Sequence, residues 1–199
     1  AEAVLLSTWN RVEIYAASEE TAAAPPHEAV VEFLAAFHKL PVYEVFDDLF
    51  ERTGDDAVRH LFTVAASLDS MVLGEPQILA QVKQAFKMAT EERSAGPLTH
   101  AVFQSAVRVA RRVAAETTIH QRRVSIPSVA VADFASQIFE RFDDKNVLVV
   151  GAGKMGEETL RYLIDAGARN VAIANRSPER AAELSGKCGG RQVAWDALD

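Results

Sequence analysis

The sequence predicts an α/β protein in two parts: a helix-rich α+β region, then a linking helix that leads into an incomplete parallel sheet flanked by helices. Three observations carry this. Val147-Leu148-Val149-Val150 is an unbroken apolar run of the kind buried on both faces of a parallel sheet. It leads directly into Gly151-Ala152-Gly153-Lys154-Met155-Gly156. Residues 1 to 124, by contrast, consist mainly of segments with helical apolar spacing and a few short strand-like pieces. The boundaries expected are 1–124 for the first domain, 125–144 for the linking helix and 145–199 for the second domain.

In chain order, Ala3 to Leu6 and Val12 to Tyr15 read as strands around the polar loop Ser7-Thr8-Trp9-Asn10-Arg11. The Ala-Pro run from Thr21 to Pro26 is a surface excursion. Pro26 opens a helix to about Leu40 whose apolar positions are Val30, Phe33, Leu34 and Phe37, and a short helix follows from Tyr43 to Phe50. Asp55 or Asp56 is placed to cap a helix bearing Val58, Leu61, Phe62, Val64 and Ala65, with His60 beside that face. Ser67 to Gln77 fits neither period, and its dense polar groups and Gly74-Glu75-Pro76 break mark a functional loop. Pro76 begins a helix to about Arg93 with Ile78, Val82, Phe86 and Met88 inward, and Leu98 to Glu116 is the next helix. Arg108, Arg111 and Arg112, with Arg122 and Arg123 after it, form the concentrated basic stretch, either a solvated face or an RNA contact. Pro127 to Phe142 is the linking helix, and Asp143-Asp144-Lys145 is the joint.

The glycine turn lies between a buried strand and a helix (Leu160, Leu163, Ile164, ended by Gly167), and Val171-Ala172-Ile173-Ala174 makes the second strand. That is a Rossmann β-α-β unit. Gly151 permits the tight turn, Gly153 permits close approach of a pyrophosphate, and Gly156 lets helix and strand pack, so Gly151 to Gly156 are candidate cofactor residues. NAD sites place a carboxylate about 20 residues on. Here Asn175-Arg176-Ser177 occupies that place, with a guanidinium suited to a 2′-phosphate, so the cofactor expected is NADPH. A substrate-holding domain is the usual partner of such a unit. Val193-Ala194-Trp195 reads as a third strand.

The chain has 199 residues, 49% hydrophobic and 25% charged, with net charge −7, which argues against a protein that coats nucleic acid while leaving room for a local basic face. One cysteine, Cys188, excludes an internal disulfide framework and a cysteine zinc site, and fits a reducing cytoplasm or plastid-like compartment. No apolar run is long enough to span a bilayer, no signal-peptide pattern is present, and no metal-ligand spacing appears. Both ends look cut, which reads as a fragment.

Three segments together resemble the glutamyl-tRNA reductase family: Leu6-Ser7-Thr8-Trp9-Asn10-Arg11-Val12-Glu13; His60-Leu61-Phe62 with Ser67 to Leu79 and Gln81-Val82-Lys83; and the glycine-turn unit with Asn175-Arg176-Ser177. The resemblance implies NADPH-dependent reduction of glutamyl-tRNA to glutamate-1-semialdehyde, the opening step of five-carbon tetrapyrrole synthesis, through a cysteine thioester. It implies that His60 orients or protonates groups at the reacting centre. Arg11 and Ser70 would recognise the glutamate moiety, with Thr8, Asn10, Glu75 and Gln77 as further substrate residues. It also implies a homodimer through a further helical domain, handover to glutamate-1-semialdehyde aminotransferase, and a cytoplasmic or plastid location.

One departure matters. The family's nucleophilic cysteine falls at Trp9, whose indole cannot form a thioester. An inactivated variant, a binding paralogue that serves as partner or regulator, a one-base error in the codon, or direct reduction of the ester would each account for it; the last is disfavoured because an ester is a poor hydride acceptor. A small-molecule dehydrogenase of shikimate type would explain the glycine turn and leave Ser67 to Lys83 unexplained.

Overall fold

The computed structural model describes residues 1–8, 10–20, 24–119 and 125–198, with backbone alone for 132–134. Trp9, Arg122, Arg123 and the start of the Ala-Pro run lie outside the described residues. Two compact units are present, Ala1–Arg122 and Arg123–Asp199.

The first unit is built on an antiparallel hairpin of β1 (Glu2–Ser7) and β2 (Val12–Ala17), with Leu6 opposite Glu13 and Ser7 opposite Val12. Period-two alternation sends Val4 and Leu6 inward. There they meet Leu61 and Val64 of α3 (Gly54–Ala65), Ile78 and Val82 of α4 (Pro76–Glu91), and Phe103 and Ala106 of α5 (Pro97–Glu116) in one apolar cluster. Proline in the first turn suits α4 and α5, because that N–H has no helical partner to lose. The start of α5 is capped from a distance. Glu2 accepts hydrogen bonds from Leu98 N–H (3.1 Å), Thr99 N–H (2.7 Å) and the Thr99 hydroxyl (2.8 Å), which ties the first strand to the last helix of the unit. Burial pushes the Glu2 carboxyl up, but these donors outweigh it and hold the group below its ordinary range.

Two helices precede this core, α1 (His27–His38) and α2 (Val42–Phe46). The expected inward face of α1 is corrected: Val31, Leu34 and Ala35 are buried, whereas Phe33 and Phe37 are exposed and stack on each other at 6.3 Å. Two apolar stripes overlap at Leu34, and periodicity does not choose between them. The cap of α3 is Thr53, with Asp55 and Asp56 inside the first turn where the helix dipole favours a carboxylate. On α4, Ala85 and Ala89 are buried and Met88 is exposed.

In the second unit, the expected linking helix is shorter and not uniform. It comprises α6 (Ile126–Ser128), a π-helical run Val129–Ala135 and α7 (Ser136–Ile138), and it stops short of Phe142. The three-stranded parallel sheet has the order β3 (Asn146–Val150), β4 (Asn170–Ala174), β5 (Arg191–Val193). Helices α8 (Lys154–Asp165) and α9 (Pro178–Cys188) are the crossovers. Right-handed crossovers taken in one direction put both helices on one face, so Val149, Val171 and Ile173 pack with Leu160, Leu163 and Leu184. Burial of β3 on both faces is therefore not found: Leu148 and Val150 are about half exposed. The third strand ends at Val193, and Trp195 begins a 3-10 turn instead.

Candidate active site

Alternation along the second arm of the hairpin places Arg11, Glu13 and Tyr15 on one side. Glu13 is the hub. One carboxylate oxygen lies 2.7 Å from His60 Nε2 and 3.3 Å from the Arg11 guanidinium, and the other accepts from the Tyr15 hydroxyl at 2.5 Å. Burial, then the bond to Glu13, pushes the Tyr15 hydroxyl far up, so it remains a donor. Its ring is fixed edge-on to buried Phe103 at 5.4 Å.

The loop after α3 supplies the other wall. Ser67 takes a left-handed conformation (φ 57°) that ends the helix, and the loop then closes on it: Gly74 N–H donates to the Ser67 carbonyl at 2.9 Å, and the Ser67 hydroxyl donates to the Glu75 carbonyl at 2.7 Å. Gly74 (φ 80°) is required there, since a Cβ would meet the Ile119 carbonyl oxygen at 2.4 Å. The closed loop presents Asp69, which accepts from Arg11 through its carboxylate (2.9 Å) and its backbone carbonyl (2.5 Å). The Arg11 bond, more than the charge alone, holds the Asp69 carboxyl below its ordinary range. Partial burial opposes the Arg11 charge, but Asp69 and Glu13 outweigh it and the guanidinium is held protonated.

His60 therefore stands between two carboxylates, with Nδ1 3.8 Å from Asp69, beyond hydrogen-bond reach. In the neutral ring, the short contact to Glu13 selects Nε2–H as donor and leaves the Nδ1 lone pair free to accept a proton.

The structure thus brings Arg11 and His60 together, beside the turn that holds Thr8 and Asn10. Thr8 N–H donates to the Arg11 carbonyl at 2.9 Å, and the Thr8 hydroxyl donates to Asn10 Oδ1 at 3.3 Å. Ser70, next to Asp69, has a buried hydroxyl with no hydrogen-bond partner among the described residues. Glu75 and Gln77 lie at the other end of the loop, Glu75 fully buried before α4 and Gln77 in its first turn with a buried side-chain oxygen. Trp9 lies outside the described residues. Sequence reading missed Glu13, Tyr15 and Asp69 as site residues, although the spacing of Arg11, Glu13 and Tyr15 was a signal for the first two. Among the described residues, no group of three or more His, Cys, Asp and Glu side chains is arranged to hold a metal ion. Arg108, Arg111 and Arg112 are exposed on α5; Arg112 pairs with Glu116 at 2.9 Å and Arg108 donates to Ser105.

The glycine turn of the second unit is built from backbone. Gly151 has φ 105°, and a Cβ on Gly156 would stand 2.0 Å from the Gly151 carbonyl oxygen, so glycine is obligatory at both. A Cβ on Gly153 would meet nothing of the protein within 4 Å, as expected where the close approach is made by a ligand. Helix α8 begins at Lys154, so its first N–H groups, including that of Met155, point out of the turn. Asn175 accepts from Ala152 N–H at 3.1 Å and donates to the Ser177 carbonyl at 3.0 Å, which locks the glycine turn to the end of β4. Ser177 caps α9, a helix the sequence reading did not contain. Arg176 between them is exposed and forms no ion pair among the described residues.

A glycine turn of this form at the head of a parallel β-α-β unit defines a dinucleotide-binding domain of Rossmann type. Residues 1–117 match the model of the glutamyl-tRNAGlu reductase N-terminal domain, and residues 133–199 match that of shikimate / quinate 5-dehydrogenase. The chain belongs to the glutamyl-tRNA reductase family. It is 46% identical over 198 residues to glutamyl-tRNA reductase of Rhodopirellula baltica, covering 100% of this chain and 46% of that protein. It is 45% identical over 190 residues to that of Rubrobacter xylanophilus, covering 96% and 43%. The solved structure of glutamyl-tRNA reductase from Methanopyrus kandleri matches with a TM-score of 0.54 at 40% identity, over 99% of this chain and 45% of that one. The chain spans somewhat under half the length of the curated relatives it matches. No helix among the described residues is long and apolar enough to cross a membrane.

Proposed function

We propose that this chain carries the glutamyl-binding and NADPH-binding parts of a glutamyl-tRNA reductase. The observation that carries the reading is the cluster of Arg11, Glu13, His60 and Asp69, whose Arg11 follows position 9 by two residues in the sequence. Arg11 holds the Asp69 carboxylate through one guanidinium nitrogen, and a glutamyl γ-carboxylate would take that place. Ser70, with its unpartnered hydroxyl, stands beside it as a second contact. His60, oriented by Glu13, moves a proton at Nδ1 for the acyl carbonyl or the departing ribose oxygen. Thr8 and Asn10 hold the turn that sets Arg11, Glu75 closes the loop that sets Asp69 and Ser70 by accepting from the Ser67 hydroxyl, and Gln77 is a further substrate contact.

Residues 151 to 156 would hold the dinucleotide pyrophosphate at the start of α8, and Arg176 the 2′-phosphate that favours NADPH over NADH. The chemistry supplied there is hydride transfer to an acyl carbon. Asn175, Ala152 and Ser177 act by fixing the turn, since their polar groups already serve one another or the cap of α9.

Trp9 favours a second reading, a binding protein that keeps glutamyl-tRNA and NADPH affinity without the thiol. Incubation with labelled glutamyl-tRNA separates the two. The chain with Trp9 is expected to retain no hydroxylamine-sensitive label, and Trp9→Cys is expected to acquire it. Label on the unaltered chain, or none after Trp9→Cys, removes position 9 as the nucleophile site. Dimer formation, delivery of the aldehyde to an aminotransferase and a cytoplasmic or plastid setting belong to this same proposal for the whole protein.

A further inference from the structure

Between α2 and α3, Phe50 stands beside the His60 ring, with centroids 6.2 Å apart and planes at 89°. Its own ring is 68% exposed, so it is not there to fill the core. The Arg52 guanidinium lies 5.4 Å from the same ring centroid and forms no ion pair among the described residues. An exposed aromatic ring with a guanidinium over it, at the rim of a proposed proton-transfer site, combines the two groups that proteins use for an unpaired nucleotide, a stacking surface and a cation.

Covalent chemistry supplies the position. In an aminoacyl-tRNA the acyl carbonyl is esterified to the ribose of the terminal nucleotide, so a carbonyl held beside His60 puts the terminal base one ribose away. Among the described residues, Phe50 is an exposed ring beside His60. We propose that Phe50 is the stacking platform for the terminal, unpaired base of the tRNA acceptor end, and that Arg52 pairs with the phosphate that precedes it. The proposal rests on the reading of glutamyl-tRNA as substrate. Flanking Asp47, Asp48 and Glu51 are exposed carboxylates that repel a phosphate track, which confines the site to one nucleotide held by its base and one phosphate.

The test uses the full chain and uncharged tRNA for glutamate bearing 2-aminopurine as the terminal base, alongside the same tRNA lacking that nucleotide. Binding is expected to quench the fluorophore through stacking. Phe50→Ala and Phe50→Leu are expected to abolish the quench and weaken binding roughly tenfold with an unchanged salt slope, because leucine keeps the bulk but not the π-face. Phe50→Trp should retain the quench. Arg52→Ala should lower the slope of log affinity against log salt by about one. Circular dichroism verifies that each variant is folded. An undiminished quench in both Phe50→Ala and Phe50→Leu overturns the proposal, as does equal affinity for tRNA lacking the terminal nucleotide, while tRNA recognition by this chain stands. Failure of the unaltered chain to bind either tRNA overturns that recognition and this proposal together.

Discussion

The sites proposed for an anionic ligand group in the two units are built by opposite means. In Ala1–Arg122 the anchors are side chains, and they are already engaged with one another: Glu13 with His60, Arg11 and Tyr15, and Asp69 with Arg11. In Arg123–Asp199 the proposed anchors are backbone N–H groups of a turn in which a Cβ at position 156 would not fit, and Arg176, the cation proposed for the 2′-phosphate, forms no ion pair among the described residues. A side-chain site loses function gradually when one member is changed. A backbone site fails outright when its geometry is disturbed, because nothing can repack.

The largest predicted effects test that contrast at glycines. Gly156→Ala puts a Cβ 2.0 Å from the Gly151 carbonyl oxygen, backbone against backbone, and should destabilise the second unit by about 3 kcal/mol or more and abolish dinucleotide binding. Gly153→Ala meets nothing within 4 Å and should leave the thermal midpoint within about a degree or two while still weakening NADPH binding. Equal losses of stability in the two variants, read from denaturant melts, would refute a ligand-facing role for Gly153. In the first unit, Gly74→Ala combines φ 80° with a 2.4 Å approach to the Ile119 carbonyl. It should cost about 2 kcal/mol and displace Asp69 and Ser70. A variant as stable as the parent would show that the loop can open without disturbing the unit.

Glu13→Gln comes next. The amide keeps an acceptor but turns two of its hydrogens toward a site of donors, so at least one buried donor loses its partner. About 1–3 kcal/mol of stability should be lost in urea melts. More telling is the His60 ring: nitrogen NMR should show the Nε2–H tautomer in the parent and a mixture in the variant. An unchanged tautomer would mean that Glu13 does not orient the histidine, and the comparison between a side-chain-organised and a backbone-organised site would lose its main support.

The same contrast explains what was legible beforehand. The glycine turn could be read residue by residue because its constraints are local: a positive φ at Gly151 and a forbidden Cβ at Gly156 leave glycine no substitute within six consecutive residues. The hub of the first site could not, because Glu13 meets His60 across 47 residues and Arg11 meets Asp69 across 58, and nothing in a polar Glu or Asp records which distant partner it has. Resemblance to known segments recovered Arg11 and His60 but not the carboxylates between them. Phe33 and Phe37 misled for a related reason, since either of two apolar stripes on α1 satisfied the helical period. Leu148 and Val150 did so because an apolar strand shows that it suits burial, not which face its neighbours cover. Helix α9 lies outside the sequence reading although Ser177-Pro178 is a cap followed by a first-turn proline, because the same Asn175-Arg176-Ser177 stretch also fits a cofactor contact.

The smallest predicted effect concerns acid. Glu2 and Asp69 both have carboxyls held below their ordinary values of 4.5 and 3.8. A carboxyl lowered in the folded state adds stability that is complete above its unfolded value and is lost as pH falls through its folded value, so the two contributions begin to decline below 4.5 and 3.8 and are gone once pH is under the lowered folded values. Asp143 and Glu179 of the second unit are lowered too, by Arg141 and Ser177, but each partner lies two residues away. Their protonation releases a local turn. Protonation of Glu2 releases the start of α5 from β1, across 97 residues, and that of Asp69 releases the loop from Arg11. Methyl NMR signals of Val4 and Leu6 should therefore broaden at a higher pH than those of Val171 and Ile173. Glu2→Gln should impose part of that loss at neutral pH and flatten the remaining acid dependence, since the amide keeps one acceptor without the charge. Loss of both sets of signals at one pH, unaltered by Glu2→Gln, would show that acid acts on a feature common to both units and not on these long-range carboxylates.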